Sequence, residues 1–495
     1  MTDLKRYQAY IGGQFTDAES GAIFETEDPF TGDVWALVPR CGAADVDRAV
    51  EAAYKAFTTG PWPALTPTAR GQLLFRLADL IAENAQALAD VEVRDNGKLM
   101  AEMSAQMRYL PQWYRYFGGL ADKIEGSVIP IDKPDMFNFT RREPLGVIAA
   151  IAPWNSPLLL MSWKIAPALA AGNTVVVKPS EYTSCSALEF ARLVEQAGFP
   201  PGVFNVVTGF GAETGEPLAT HPKVAKVAFT GGDLAGRRVY QAAAAKLKPV
   251  VLELGGKSPN IVFDDCVIDD AVKGAVAGIF AASGQTCIAG SRLLVQDTIH
   301  DQFLDKLVKF ASTAKLGDPR LATTQVGPIT TRPQHKKVLD YIGIARNEGA
   351  QLMLGGKAAD VEGSKSGLFV QPSIFSGVKN RMRIAQEEVF GPVLSVIHFR
   401  DEDEALAIAN DTLFGLASGV WTTSMRRALT MSSALRAGTV WVNTYRAVSY
   451  LSPFGGYKQS GFGRENGLSA IDEYLQTKSV WINTALEVPN PFTMR

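Results

Sequence analysis

Apolar residues first recur at helical spacing over residues 43–60 (AADVDRAVEAAYKAFTTG) and 67–95, with Asp45 and Thr66 placed where caps are needed. These stretches predict an opening helical layer. From residue 145 the pattern changes to short apolar runs that end in Gly, Pro, Ser or Thr: VIAAIAP, TVVVKPS, VFNVVTG, KVAFTGG and VVLELGG. Helical stretches such as ALEFARLVEQAG and LAGRRVYQAAAAKL alternate with them. Strand, helix, strand in repetition predicts a doubly wound parallel sheet.

A second α/β series follows. VIDDAVKGAVAGIFAASG reads as a helix, SRLLVQ as a strand and HDQFLDKLVKFAS as a helix. LFVQPSIF, GPVLSVIHF, SGVWTT and GTVWVNT then read as strands, with EDEALAIAND and RRALTMSSAL as helices. This predicts a separate sheet. Two segments stand apart. Residues 124–143 alternate apolar and polar around a Pro-containing turn, like a hairpin, and residues 476–485 form a lone strand. A hairpin with no local sheet to join suits either edge pairing between subunits or a plain surface position.

Composition narrows the function classes. The chain has 495 residues, 46% of them hydrophobic and 20% charged, which allows large cores and excludes global disorder. A formal charge of −2 gives no support to a nucleic-acid partner. Four cysteines (Cys41, Cys185, Cys266, Cys287) are too few and too scattered for a disulfide framework. Neither a CxxC pair nor HExxH occurs, and no metal site is expected. The stretch Leu145–Gly172 is apolar but contains Pro153, Pro157, Pro167, Asn155 and Lys164, so no membrane helix is expected there. The first residues, MTDLKRYQAYIGGQF, lack the apolar segment of a signal peptide. A cytoplasmic, reducing setting is the expectation.

Cys287 lies in FAASGQTCIAGSRLL, after a predicted helix and among small, flexible neighbours. That context suits an accessible nucleophile, although an arbitrary cysteine is more often a buried structural one. Glu253 ends the apolar run VVLE, where desolvation raises a carboxyl toward the range of a general base. A salt-bridged sheet-edge glutamate is the alternative. Asn155, between Pro153 and Pro157, suits an oxyanion donor or a turn residue bonding its own backbone. Gly231, Gly232 and Gly236 in FTGGDLAGRRV, and Gly211 in VVTGFGAETG, are strand exits where a pyrophosphate can approach a backbone, though neither is GxGxxG. Lys178 and Glu181 in VVVKPSE suit ribose hydroxyls or a solvated loop pair.

Together these pieces resemble the aldehyde dehydrogenase superfamily over nearly the whole chain. PWN at 153–155, KPSE at 178–181, FTGG at 229–232, ELGGKSP at 253–259, GQTCIAGSR at 284–292, EEVFGPV at 387–393 and PFGGYKQSGFGRE at 453–465 stand in the family's order. The resemblance implies a Rossmann-like NAD-binding domain (1–123 and 144–255), an α/β catalytic domain (256–460) and a small β oligomerisation element (124–143 and 476–495). It implies a homodimer or homotetramer and a small-molecule aldehyde as substrate.

Carried over to this sequence, the resemblance makes Cys287 the nucleophile, Glu253 the water-activating base and Asn155 an oxyanion donor with the Cys287 N–H. Glu465 resembles a proton-relay acid. Lys178 and Glu181 are implied at the adenine ribose, Glu388 at the nicotinamide ribose, Phe390 beside the nicotinamide, and Trp154 near the adenosine. Glu181 disfavours NADP by repelling its 2′-phosphate. Gly232 stands where the family's FTGS form has Ser, so looser cofactor binding is expected. Tyr109, Trp163, Thr286, Ile288, Val448 and Phe454 are implied along the substrate channel, which suits a hydrophobic or aromatic aldehyde. Arg446 near its entrance suits an acidic aldehyde or a solvated surface position. The tail ALEVPNPFTMR is expected to reach a neighbouring subunit's entrance. CoA-acylating chemistry is the rival reaction, disfavoured by Glu253, and a catalytically idle binding protein is the rival class.

Overall fold

The computed structural model describes residues 4–488 and 490–493. Residues 1–3 of the N-terminal segment and Pro489, Met494 and Arg495 of the tail lie outside the described residues.

The short apolar runs form the centre of an eight-stranded sheet. In spatial order its strands are Gly461–Phe462, Val250–Glu253, Val224–Thr230, Val147–Ile151, Thr174–Lys178, Phe204–Val206, Ala9–Ile11 and Gln14–Thr16. The five central strands are parallel. Both faces of Val147–Ile151 and Thr174–Lys178 are buried, which is why the sequence there is continuously apolar and not alternating. Chain order reverses between Val147–Ile151 and Val224–Thr230, so a crevice opens beyond the carboxyl ends of those two strands.

The second sheet has seven strands, in the order Gln351–Leu354, Ser373–Ser376, Val393–Phe399, Arg292–Gln296, Pro259–Val262, Ala417–Trp421 and Thr439–Val442. All its neighbours are parallel except the first pair. Only residues 254–258 separate the end of Val250–Glu253 in the first sheet from the start of Pro259–Val262 in the second. Glu253 therefore sits at the junction of the two layers.

The two orphan segments find each other. Leu475–Asn483 pairs antiparallel with Met136–Pro144 along its full length, and Val128–Ile129 adds a short third strand. The expected hairpin thus does have a sheet to join, made with the C-terminal strand of the same chain. The side chains of Val128, Phe137, Trp481 and Ile482 remain exposed on it.

Several helices follow the expected periodicity. Thr66 caps the helix Pro67–Glu83 by accepting the Ala69 N–H at 3.2 Å. The expected continuous helix 67–95 is broken at Asn84, whose side chain turns back to the Leu80 carbonyl, and a new helix runs Ala85–Asn96. Asp45 is not the first cap of its helix. It stands one turn in and accepts the Gly42 N–H at 3.0 Å. Nor do helices open the chain. The strands Lys5–Arg6, Ala9–Ile11, Gln14–Thr16, Ile23–Glu27 and Val34–Pro39 precede them, each too short to register as a periodic pattern.

Candidate active site

The strand Val147–Ile151 runs into Pro153-Trp154-Asn155-Ser156 before the helix Pro157–Ala170 begins. Asn155 is buried there, and its side-chain amide donates to the Gln285 carbonyl at 3.0 Å. Gln285 is two residues before Cys287. One hydrogen bond thus ties the exit of the first sheet to the turn that carries the thiol.

That turn is unusual. After the helix Ile268–Ile279, Ala282, Ser283 and Gly284 take φ of +54°, +52° and +70° in succession. Glycine adopts this left-handed conformation freely; Ala and Ser do so only when held. The Gln285 side chain pins the next residue, accepting the Thr330 N–H at 2.9 Å and donating to the Pro328 carbonyl at 3.3 Å. Burial pushes the Cys287 thiol up to about 12, with the charges of Glu253 and Glu388 adding to the rise. The N–H groups of Cys287 and Ile288 work in the opposite direction.

Glu253 ends its strand fully buried, and neither carboxylate oxygen has a hydrogen-bond partner. Desolvation and the negative charge of Glu465 raise its pKa well above the usual carboxylate range, while Lys164 and Arg464 pull it down. The same causes make the ionised carboxylate a stronger base than an exposed one, which suits general-base work. The close passage beside it relies on glycine. A side chain at Gly256 would lie 2.5 Å from the Cys287 carbonyl, and one at Gly255 would lie 2.6 Å from the Glu388 carboxylate. Glu388 in turn accepts the Gly256 N–H at 3.0 Å.

Glu465 forms a buried ion pair with Lys164, which also donates to Thr230 at the end of the neighbouring strand. In the sequence Lys164 was legible only as a lone charge in an apolar stretch. Its partner lies 301 residues away in sequence.

The residues expected at a dinucleotide line the strand exits. Lys178 is buried and lies 3.5 Å from Glu181, and its methylenes face Gly215 in the turn that opens at Gly211. The space beside Gly211 and Gly232 is open. Gly231 is less available than its position suggested, because its N–H already bonds the Glu253 carbonyl at 3.0 Å. Gly236 allows the helix Asp233–Ala244 to pack on Leu254. Trp154 and Phe390 meet edge to face at 5.2 Å, with Phe390 at φ +58°.

The expected channel residues gather as an aromatic cluster. Trp163 contacts Phe454 at 5.0 Å and stacks on Trp113 at 6.2 Å, and Trp113 meets Tyr109 at 5.1 Å. Phe454 exchanges two backbone hydrogen bonds with Glu465, which sets the aromatic wall next to the acid pair. Thr286 and Ile288 flank the thiol, and Val448 packs against the same core. Trp113, on the helix Pro111–Leu120, and Tyr450, in a turn, complete the cluster but were not foreseen, since an isolated aromatic carries no mark distinguishing core from wall. Arg446 is half-buried at φ +66°, and its guanidinium donates to the Ala277 carbonyl at 3.3 Å.

A thiol in a held turn, an amide bound beside it and a desolvated carboxyl thus meet at the seam of two sheets, as in an α/β enzyme with its site between two layers. The chain belongs to the aldehyde dehydrogenase family, whose sequence model matches residues 15–480. A 5-hydroxybutyrolactone dehydrogenase of Acinetobacter baylyi, named for its (Z)-2-((N-methylformamido)methylene) substituent, is 48% identical over 99% of this chain and 100% of its own. Betaine aldehyde dehydrogenase of Bacillus subtilis is 44% identical over 98% of this chain and 99% of its own. The crystal structure of betaine aldehyde dehydrogenase from Staphylococcus aureus, in complex with NAD+, superposes with a TM-score of 0.97 at 40% identity, covering 99% of this chain and 97% of that one. Among the described residues no helix is long and apolar enough to cross a membrane.

Proposed function

We propose that the protein oxidises an aldehyde to a carboxylic acid with NAD, by hydrolysis of a cysteine-bound thioester. The observation that carries this reading is the junction of Asn155, Gln285 and Cys287 beside the unpartnered carboxylate of Glu253.

The Cys287 sulfur, as thiolate, attacks the aldehyde carbon to give a thiohemiacetal. Burial and the charges of Glu253 and Glu388 raise the thiol, and the N–H groups of Cys287 and Ile288 favour the thiolate that attacks. The Asn155 amide and the Cys287 N–H hold the oxyanion. NAD, when bound, accepts the hydride that leaves the carbon, and a thioester remains. Glu253 takes a proton from water, which adds to the thioester and releases the acid. The open glycines 211 and 232, the Lys178–Glu181 pair and Glu388 fit a dinucleotide, with Glu181 disfavouring NADP. Glu253 fits water as the acceptor and not CoA, because a thiolate acceptor needs no such base.

The aromatic cluster around Trp163 and Phe454 supports a hydrophobic or aromatic aldehyde. Arg446 supports an acidic semialdehyde less well, since its guanidinium is engaged with a carbonyl. Residues 1–123 and 144–255 would hold the cofactor, 256–460 the catalytic machinery, and 124–143 with 476–495 the subunit contact. The exposed Phe137, Trp481 and Ile482 support a homodimer or homotetramer, which light scattering on the purified protein would read. NADH formation over a panel of aliphatic, aromatic and acidic aldehydes tests the activity. Wild-type NADH formation by Cys287→Ala would sink it.

A further inference from the structure

Asn155 and Cys287 reach the site from different sheets. Asn155 leaves the strand Val147–Ile151, whereas Cys287 stands between the helix Ile268–Ile279 and the strand Arg292–Gln296. The Asn155–Gln285 hydrogen bond joins the two directly, and the width of any pocket between them depends on what else braces that bond from either side. One short stretch, the turn from the helix Ala85–Asn96 into the helix Met100–Tyr109, touches both sides.

Lys98 in that turn is buried, and its ammonium donates to the Ser156 hydroxyl at 2.8 Å, one residue from Asn155. Glu102, one turn further along, accepts the Ala282 N–H at 2.8 Å. Ala282 is the first of the left-handed residues that lead to Cys287. The Asn96 carbonyl accepts the Thr330 hydroxyl, and Thr330 in turn donates its N–H to the Gln285 side chain. Gly97, at φ +73°, lets the turn press on Pro29 and Pro328, where a Cβ would come within 3.0 Å and 2.8 Å. Glu102 is also the first attractive charge acting on Lys98, so the two groups that grip the two sides stabilise each other.

We propose that residues 96–102 are a positioning clamp that sets the distance between the Asn155 amide and the Cys287 N–H, with Glu102 holding the nucleophile's turn and Lys98 holding the Asn155 loop. None of these side chains need touch the substrate. They act through Ala282 and Ser156. The inference rests on the reading of Cys287 as nucleophile and Asn155 as oxyanion donor. A purely structural role would lower stability and leave the kinetics of the folded fraction unchanged. A clamp acts on kcat, because the oxyanion donors matter where charge develops and not where NAD binds.

The test compares Glu102→Ala, Glu102→Gln and Ser156→Ala with wild type and with Cys287→Ala, each at matched folded concentration verified by circular dichroism. Glu102→Ala is expected to lower kcat about 10- to 100-fold, the scale of a misplacement near 1 Å. The NAD dissociation constant, read by tryptophan quenching, should stay unchanged. Glu102→Gln keeps an oxygen to accept the Ala282 N–H and should retain most of the wild-type kcat. Ser156→Ala, which removes only a hydroxyl, should also lower kcat, and it serves if Glu102→Ala does not fold. Cys287 alkylation by iodoacetamide should slow in Glu102→Ala. Wild-type kcat in both Glu102→Ala and Ser156→Ala overturns the clamp, as does a Glu102→Gln as impaired as Glu102→Ala. Undiminished turnover by Cys287→Ala would instead remove the underlying reading.

Discussion

Lys164 and Glu465 form an ion pair with both side chains wholly buried, next to a carboxyl, Glu253, that has no partner of its own. Three charged groups out of water cannot each behave as in solution. The pair keeps Glu465 largely neutralised, yet its negative charge still raises Glu253. A base works only above its pKa, so this charge sets where the acid side of the activity profile falls. Glu465→Gln removes a cause of the rise and leaves the Lys164 ammonium uncompensated, and both changes lower the Glu253 pKa. The acid limb of kcat should therefore move to lower pH. A limb that stays put or moves up would show that Glu465 does not act on Glu253.

In the proposed reaction Glu253 activates water, which belongs to the second half, after the hydride has left. Glu253→Gln should still release about one equivalent of NADH per site, after which turnover falls by roughly 10²- to 10⁴-fold, the usual contribution of a general base. Rapid mixing resolves the burst, and intact mass of the quenched protein should show the acyl group on Cys287. Steady turnover without a burst would mean that Glu253 acts before hydride leaves, as the base for Cys287 itself.

The frame of the fold was legible because the central strands of both sheets are parallel and buried on both faces, so each of those prints as a continuous apolar run. The placement of Glu253, Cys287 and Asn155 at strand exits and in a turn after a helix was legible because each follows an apolar run or lies in a glycine- or proline-flanked turn. What could not be read were contacts made across the chain. Glu102 looks like any acid on a helix until Ala282 is seen to bond it. The N-terminal strands escaped because two to six residues carry no period. The break at Asn84 escaped because apolar spacing continues through it. The apparent isolation of residues 124–143 came from looking for a partner nearby, when the pairing strand lies at 475–483.

In the proposed reading, coenzyme choice turns on a pair at one strand exit. Glu181 lies 3.5 Å from Lys178, which burial shifts below its ordinary pKa and Glu181 restores in part. Glu181 is partly exposed, so its repulsion of a 2′-phosphate is screened. Glu181→Ser should raise kcat/KM for NADP about tenfold, equivalent to ~1.4 kcal/mol, and lower it for NAD through the lost ribose acceptor. Equal use of both coenzymes by the wild type would remove the argument.

The aromatic wall offers the sharpest test of substrate class. Phe454 is buried against Trp163, and its backbone is bonded to Glu465, so in the proposed reading the ring is a fixed part of the channel wall. Phe454→Leu keeps an apolar side chain but removes the edge-to-face contact and shortens the wall. A change of this size in an apolar pocket shifts discrimination by roughly 10-fold or more. kcat/KM for benzaldehyde should fall by about that factor, while acetaldehyde, too small to reach the ring, should be nearly unaffected. Trp163→Phe should do less, since a second ring remains to stack on Trp113. Equal losses for both aldehydes would place Phe454 in support of the Glu465 segment and not in contact with substrate, and a larger loss for acetaldehyde would overturn the aromatic reading of the channel.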